Sequence, residues 1–480
     1  MHFGQLFAQS AFYYQHISNE HNKPFDILEL DDSYVICGRV DTVGVLSDGY
    51  LLMMDKQGNV LWDKEYETSN VVTYTTLVNV KDGFMTGGYR WVNNKRRNLI
   101  KKFDYQGNEL WEKLIGDTLV LGGDNLCRDL VFDNGYIFMA TSGFDTVSST
   151  TNAFLIKMDK DGNIIWQKNY GADIYEQRVD RLKKIEKIED GFIIRMESQN
   201  MAWQFFPHIL KVDFDGNEIW RKELRYYNST TISSDTIIYF KNFTVTNNNH
   251  ILAYFNREEP VTYNSSHIII EFDNQGNELS FNESVYTESI AYANIFTNSK
   301  NEIFVVGDLD FDTVGLFFAE IFSAKFDCNK NLLWEKHYGE KNDIEFFSEG
   351  KLASDGGLLI AGWTANFDDP PFKYNSIVVK TDCNGKLEWN TESCINPTTI
   401  ETTIFPNPFF DYINIHLPNI PKENKLEIKI FDLKGSLIEI NQFENLNVIQ
   451  LNLSKYSSGL YFVKITINET EIEVYKIIKY

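Results

Sequence analysis

The chain has 480 residues, 43% of them apolar and 15% aromatic, which is ample for a packed core and excludes wholesale disorder. Its formal net charge of -23 excludes the basic footprint that nucleic acid demands and points to a solvated, non-sticking surface. No apolar run is long enough for a transmembrane helix, and residues 401–480 hold ten Asp/Glu against eight Lys/Arg, so nearly all the excess charge lies upstream of them.

Residues 1–24 read as an irregular lead-in. Leu6-Phe7-Ala8-Gln9 resembles the cleavage end of a Bacteroidetes secretory signal, although the charged and apolar regions that should precede it are absent, so the segment reads either as a signal whose start is placed too far downstream or as a plain polar lead-in. The aromatic run Phe12-Tyr13-Tyr14 could add a strand to a sheet edge.

From residue 25 to 392 one unit recurs. Its marker is Asp55-Lys56-Gln57-Gly58-Asn59-Val60-Leu61-Trp62, repeated at Asp104 to Trp111, Asp159 to Trp166, Asp213 to Trp220, Asp273 to Ser280, Asp327 to Trp334 and Asp382 to Trp389. The seven copies are spaced 49, 55, 54, 60, 54 and 55 residues apart, a period typical of radial or stacked repeats. The second unit shows the content: an alternating segment over Thr76 to Val80, a Lys81-Asp82-Gly83 turn, a strand from Phe84 to Tyr89, a variable loop, alternation from Asn98 to Phe103, the marker turn, and a last strand from Glu109 to Leu114. Four strands of about five residues per unit, with no helical period between them, predict an all-β fold, a seven-bladed β-propeller. A β-solenoid fits less well, because its repeats are shorter.

The marker resembles blades of the propeller group that includes quinoprotein dehydrogenases. That resemblance implies that Trp62, Trp111, Trp166, Trp220, Trp334 and Trp389 dock between neighbouring blades as structural staples. Ser280 in the fifth copy and Lys330, which replaces the turn glycine in the sixth, imply looser packing there.

Residues 393–403 form a threonine-rich linker, and residues 404–480 alternate strictly over five segments, predicting a small antiparallel β-sandwich. Within it stand Phe405-Pro406-Asn407-Pro408, then Phe431-Asp432-Leu433-Lys434-Gly435, then Leu453 to Val463 with Gly459 and Tyr461, then Lys476-Ile477-Ile478-Lys479. Four such motifs in this order resemble the type A C-terminal sorting domain of the Bacteroidetes type IX (Por) secretion system. The resemblance implies passage through the periplasm and outer membrane to the surface or medium. It also implies two partners, an outer-membrane translocon and a sortase-like peptidase that cuts near Thr398 to Thr403. The prolines stiffen the lead into the first strand, and Asp432 with Gly435 makes a hairpin turn.

The remaining constellations carry less chemistry. Asp159-Lys160-Asp161-Gly162-Asn163 has its glycine fourth, not sixth, so it reads as a turn rather than a calcium loop. Cys383 and Cys394 straddle the last marker strand and would pin it if bridged; Cys37, Cys127 and Cys328 read as buried or half-buried apolar residues. Asp-Thr-apolar recurs at Thr42, Thr118, Thr146, Thr236 and Thr313, resembling a short Bacteroidetes O-glycosylation acceptor, though common descent of the repeats explains it nearly as well. Loop aromatics such as Trp91, Trp203 and Trp363 either stack on sugars or cover blade edges. Catalytic, metal-ligating and phosphate-cradling motifs are missing, and no cofactor is expected. The sequence therefore leads to a secreted, surface-displayed binding module for a glycan or protein. Its alternatives are an extracellular enzyme with its site at the propeller mouth and a structural adhesin.

Overall fold

A computed structural model of the chain describes residues 11–16, 21–41, 47–66, 70–93, 95–115, 121–145, 150–171, 179–199, 205–224, 237–258, 265–286, 289–313, 316–339, 344–365, 374–387, 403–417, 425–444, 446, 448–467 and 470–480. Among these every regular element is a β-strand, and no helix is long and apolar enough to cross a membrane. The chain divides into two compact units, Met1–Cys394 and Ile395–Tyr480.

The first unit is β-propeller-like. Its described residues form seven four-stranded antiparallel sheets, numbered here in chain order. Their first strands are His21–Glu29, Val72–Val80, Leu121–Asp133, Val179–Ile188, Ile237–Val245, Ser289–Thr297 and Ile344–Leu352. In sheets 1 to 6 the remaining three strands follow in sequence order. Each first strand lies against the first strand of the next sheet, and that of sheet 7 lies against that of sheet 1, so the seven line a common axis. Alternating apolar residues from facing sheets make a series of cores, for example Phe138, Leu155, Leu182, Phe192 and Leu210 between sheets 3 and 4. Strands run longer than the marker spacing implies: Gly83–Val92 has 10 residues and Leu121–Asp133 has 13, because pairing continues into the segments read as loops.

The seventh sheet departs from the sequence expectation. Its fourth strand is Phe12–His16, paired from Phe12↔Lys380 to His16↔Ser376, and the segment around Trp389 lies outside the described residues. The N-terminal lead-in thus joins both ends of the unit, and the first strand of sheet 1 already begins at His21. An aromatic run supplies the edge because half-buried rings suit a pleated surface.

The marker is a turn joined to a strand. In Asp55 to Asn59 the carboxylate accepts the Gln57 and Asn59 amides at 2.9 and 2.8 Å and the Asn59 side chain at 2.8 Å. The same pattern holds at Asp104, Asp159, Asp213, Asp273 and Asp327. These amide donors lower the pKa of Asp159 and Asp327 below the ordinary carboxylate range. The turn glycine adopts positive φ, +73° at Gly107, and a Cβ there would sit 2.9 Å from the Trp62 indole of the preceding sheet. Trp111, Trp166, Trp220 and Trp334 lie in the same way against Gly162, Gly216, Gly276 and Gly385. Trp62 and Trp220 also donate Nε1 to the carbonyls of Tyr105 and Asn274. At Gly58 the ring is that of Phe12, 2.8 Å from a built Cβ, so the N-terminal strand also brings the aromatic that faces the first turn.

Between the fifth and sixth sheets the contact is of another kind. With Ser280 in place of an indole, nothing requires a glycine opposite, and Lys330 takes the positive-φ position at +69°. Its ammonium meets Glu271 at 2.8 Å, and Ser280 donates to the same carboxylate at 3.2 Å. A polar link replaces the ring-on-glycine contact. Ser280→Trp and Lys330→Gly should therefore each destabilise alone yet compensate when combined, with a favourable coupling of about 1 kcal/mol in a double-mutant cycle of denaturant unfolding. Simple additivity would overturn this pairing.

The second unit has two sheets, Thr403–Phe405, Tyr412–His416 and Val448–Asn452 in one, and Lys425–Asp432, Leu437–Glu444, Gly459–Ile467 and Thr470–Lys479 in the other. Alternating residues of both, among them Ile413, Ile415, Ile428, Ile430, Leu451, Val463, Ile465 and Ile477, close one core.

Candidate functional site: a polar ring on the axis of the seven sheets

In the middle of most first strands the apolar alternation is interrupted by one polar residue or two in succession: Asp26, Thr75-Thr76, Arg128-Asp129, Lys183-Lys184, Asn242 and Glu349. Each first strand carries a register shift at this point, between Pro24 and Asp26, Tyr74 and Thr76, Cys127 and Asp129, Leu182 and Lys184, Phe240 and Asn242, Ile290 and Tyr292, and Phe347 and Glu349. A β-bulge leaves the extra residue unpaired and re-aims the side chains around it. The bulges thus bring polar side chains of sheets 1 to 5 and 7 to the axis.

Many of these side chains tie sheet to sheet. Asp26 accepts the amides of Ile27 and, from sheet 2, Leu77 at 2.6 Å, and it takes Lys351 of sheet 7 at 2.6 Å. Asp129 accepts Leu130 N at 2.8 Å and Ile185 N of sheet 4 at 2.9 Å. Thr75 donates to the Cys127 carbonyl of sheet 3 at 2.7 Å. Asn242 donates to Asn294, and Asn294 to Glu349, carrying the chain across sheets 5, 6 and 7. Such amide-to-carboxylate latches satisfy backbone groups that the bulges expose.

The ring encloses a cavity of about 130 Å³ lined by Asp26, Thr76, Asp129, Lys184, Glu349 and Lys351, with Arg128, Lys183 and Arg195 on the side of sheets 3 and 4. Burial pushes the Asp129 carboxyl up to about 6 and, together with the nearby Asp26 charge, Glu349 up to about 8. Burial works against the Lys351 charge, but Asp26 and Glu349 hold its pKa above the usual value. Burial brings Lys183 down to about 8, and the charges of Arg128, Arg195 and Arg181 push the same way against Glu197. Burial also takes Arg128 down to about 10, with Arg181 as a repelling neighbour.

Glu349 offers a direct check. Its folded pKa exceeds the unfolded one, about 4.3, so the folded state holds a proton that the unfolded state has lost. The contribution of this carboxyl to stability therefore falls across the window from about pH 4.3 to 8 and levels off above it. Glu349→Gln keeps an oxygen for Asn294 and Gly350 and cannot ionise. Its stability relative to wild type should rise through that window, by at most about 1.4 kcal/mol per pH unit. A pH-independent difference in melting temperature would contradict this.

The residues singled out by sequence fall elsewhere. The indoles at 62, 111, 166, 220 and 334 sit in the outer strands. Cys383 is half-buried in the turn after the third strand of sheet 7, Cys394 lies outside the described residues, and Cys328 is exposed rather than half-buried. Thr42, Thr118, Thr146 and Thr236 also lie outside the described residues; Thr313 ends the second strand of sheet 6. Trp363 stacks on Phe346 at 4.0 Å and lies under Lys23, a covering role, while Trp203 is outside the described residues. No group of three or more potential metal ligands occurs among the described residues.

In the second unit the sorting motifs meet one another. Asn407 donates to the Lys476 carbonyl at 2.9 Å and accepts the Ile478 amide at 3.0 Å, so its side chain pairs with the last strand as a short piece of backbone would. The Lys479 ammonium is buried against the Phe410 carbonyl and the Phe409 ring. Asp432 and Gly435 form the same turn as the repeat marker, and the Tyr461 hydroxyl donates to the Ser457 carbonyl at 2.6 Å. Gly459, with φ +159°, starts the strand that carries Tyr461. The exposed Pro406 and Pro408 flank Asn407.

Residues 403–480 match the family described as "Secretion system C-terminal sorting domain". A curated relative, an ulvan lyase of Nonlabens ulvanivorans, is 27% identical over 108 residues, which is 22% of this chain and 20% of that protein. The chain thus spans about a fifth of the relative's length. Among solved structures, the β-propeller domain of a trilobed protease from Pyrococcus furiosus aligns with 81% of this chain and 99% of its own at 9% identity and a TM-score of 0.41. An endo-arabinase from Bacteroides thetaiotaomicron aligns with 54% of this chain and 94% of its own at 10% identity and a TM-score of 0.32.

Proposed function

We propose that this exported chain is a surface-displayed binding module: a seven-bladed β-propeller that presents its variable loops, carried to the cell surface by a type A sorting sandwich. Export by type IX secretion to the surface or medium is given by the sorting domain. The finer steps, recognition by the outer-membrane translocon and cleavage by a sortase-like peptidase within 393–403, belong to the proposal. So does O-glycosylation of Thr42, Thr118, Thr146, Thr236 and Thr313, which an intact mass equal to the encoded mass would exclude.

The observation that carries the binding reading is the use made of the axial carboxylates. Asp26 and Asp129 converge on the cavity, but their oxygens are taken by backbone amides and Lys351. Carboxylates so engaged hold sheets together and are poorly placed to exchange protons with a substrate. Glycan and peptide arrays probed with the full chain test the reading, and the absence of any ligand would count against it in favour of the adhesin.

One observation favours the enzyme. Glu349, held near pKa 8 beside the cavity, is protonated at neutral pH and has the character of a general acid. If a polysaccharide bound on the array is also cleaved, and Glu349→Gln abolishes cleavage while sparing binding, the enzymatic reading replaces the binding one.

A further inference from the structure

One side of the axial cavity has a charge imbalance that the latches do not use. Arg128 and Lys183 are the bulged residues of sheets 3 and 4, and Arg195 stands beside them on the second strand of sheet 4. Glu197 is the acid that faces them. It lies 3.8 Å from Arg181, 3.7 Å from Lys183 and 4.0 Å from Arg195, too far for a hydrogen bond with any of them. Arg195 donates Nη1 and Nη2 to the backbone carbonyls of Lys241 and Phe240, and its Nε is buried without a partner. Arg128 forms no ion pair among the described residues, and its Nε is buried without a hydrogen-bond partner. Among the described residues, four cations therefore share one carboxylate, in a protein whose net charge is -23.

Asp129, next in the chain to Arg128, does not relieve this, because its oxygens serve Leu130 and Ile185. Mutual repulsion among partly buried cations costs stability, and an arrangement of this kind is one that an anion would repay. A planar guanidinium with free donors beside an ammonium suits the oxygens of one sulfate or carboxylate group.

We propose that Arg128 and Lys183, backed by Arg181 and Arg195, form a binding site for a single oxyanion, a sulfate or carboxylate group, at the sheet 3 and 4 side of the axial cavity. The group arrives either as a free ion or as a substituent of an acidic polysaccharide. Only the second source rests on the binding reading above. The site also explains why the cations cluster: Lys183, near pKa 8 when unoccupied, regains its proton as the anion binds, so affinity should hold below pH 8 and fall above it.

The test uses the full chain. Melting temperature and calorimetric binding are measured with sodium sulfate against sodium chloride at matched ionic strength, and with dextran sulfate against neutral dextran. Wild type should be stabilised by sulfate beyond chloride. Arg128→Gln should weaken sulfate binding about tenfold or more, the loss expected for one charge-assisted hydrogen bond, while melting no lower than wild type without sulfate, because repulsion has been removed. Lys183→Met should weaken binding and flatten its decline above pH 8, and it serves if the arginine variant does not fold. Equal effects of sulfate and chloride on wild type, or unchanged sulfate binding in both variants, would overturn the site. Sulfate binding without dextran sulfate binding keeps the site and removes the polysaccharide as its source. Dextran sulfate binding that both variants retain removes the site but leaves the surface-binding reading intact.

Discussion

Asp355→Ala should destabilise the first unit by about 3–5 kcal/mol, the range for stranding one member of a buried ion pair. The Lys380 ammonium donates to Asp355 at 2.6 Å and to the Thr381 carbonyl at 2.7 Å, with side-chain exposures of 0% and 2% for the pair. Alanine would remove the carboxylate that this buried ammonium donates to and would also release the Gly357 amide, which Asp355 holds at 2.9 Å. The same link between a third-strand lysine and the first turn recurs as Lys102 with Asp82 at 2.7 Å, but there the carboxylate is 70% exposed. Asp82→Ala should therefore cost no more than about 1 kcal/mol. Replacing both partners in sheet 7, Asp355→Leu with Lys380→Met, should recover much of the loss. Denaturant unfolding of the four proteins checks the ranking, and equal losses at Asp355 and Asp82 would show that burial does not set it.

The second large effect concerns export. A chain ending at residue 402 lacks the sorting unit and should be retained in the periplasm, with none in the medium or on the surface. Asn407→Ala is the sharper probe. It removes two hydrogen bonds to the last strand and leaves the apolar core of the unit untouched. Because Asn407 ties the first motif to the last, this variant should lose export while the unit stays folded by circular dichroism. If the truncated chain still reached the surface, sorting would not depend on this unit. If Asn407→Ala were exported normally, the tie between motifs would be structural only.

The repeat, the turns and the sheet-forming segments were legible because each rests on local chemistry: an aspartate that caps its own turn, a glycine at positive φ, strict alternation. The sorting motifs were legible for the same reason. What sequence hid was non-local. Phe12 facing Gly58 depends on a pairing across the whole unit. Ser280 and Lys330 looked like two separate lapses, although they are opposite sides of one contact. The axial ring was missed because a bulge turns period-two reasoning out of phase by one residue. Its signal was present as adjacent polar residues such as Arg128-Asp129 and Lys183-Lys184 within otherwise apolar strands.

Pairing of Phe12 with Lys380 also sets an order of events in time. The earliest described strand to be synthesised has no partner until the third strand of sheet 7 has been made, so closure of the unit cannot be nucleated locally and must bear the entropy of a very long loop. A chain arrested before residue 374 would expose an unmatched edge at both ends. Because the sorting unit lies later still, the export signal becomes complete only after every strand needed for closure exists. Synthesis itself thus screens out unfinished molecules before they can be offered for secretion.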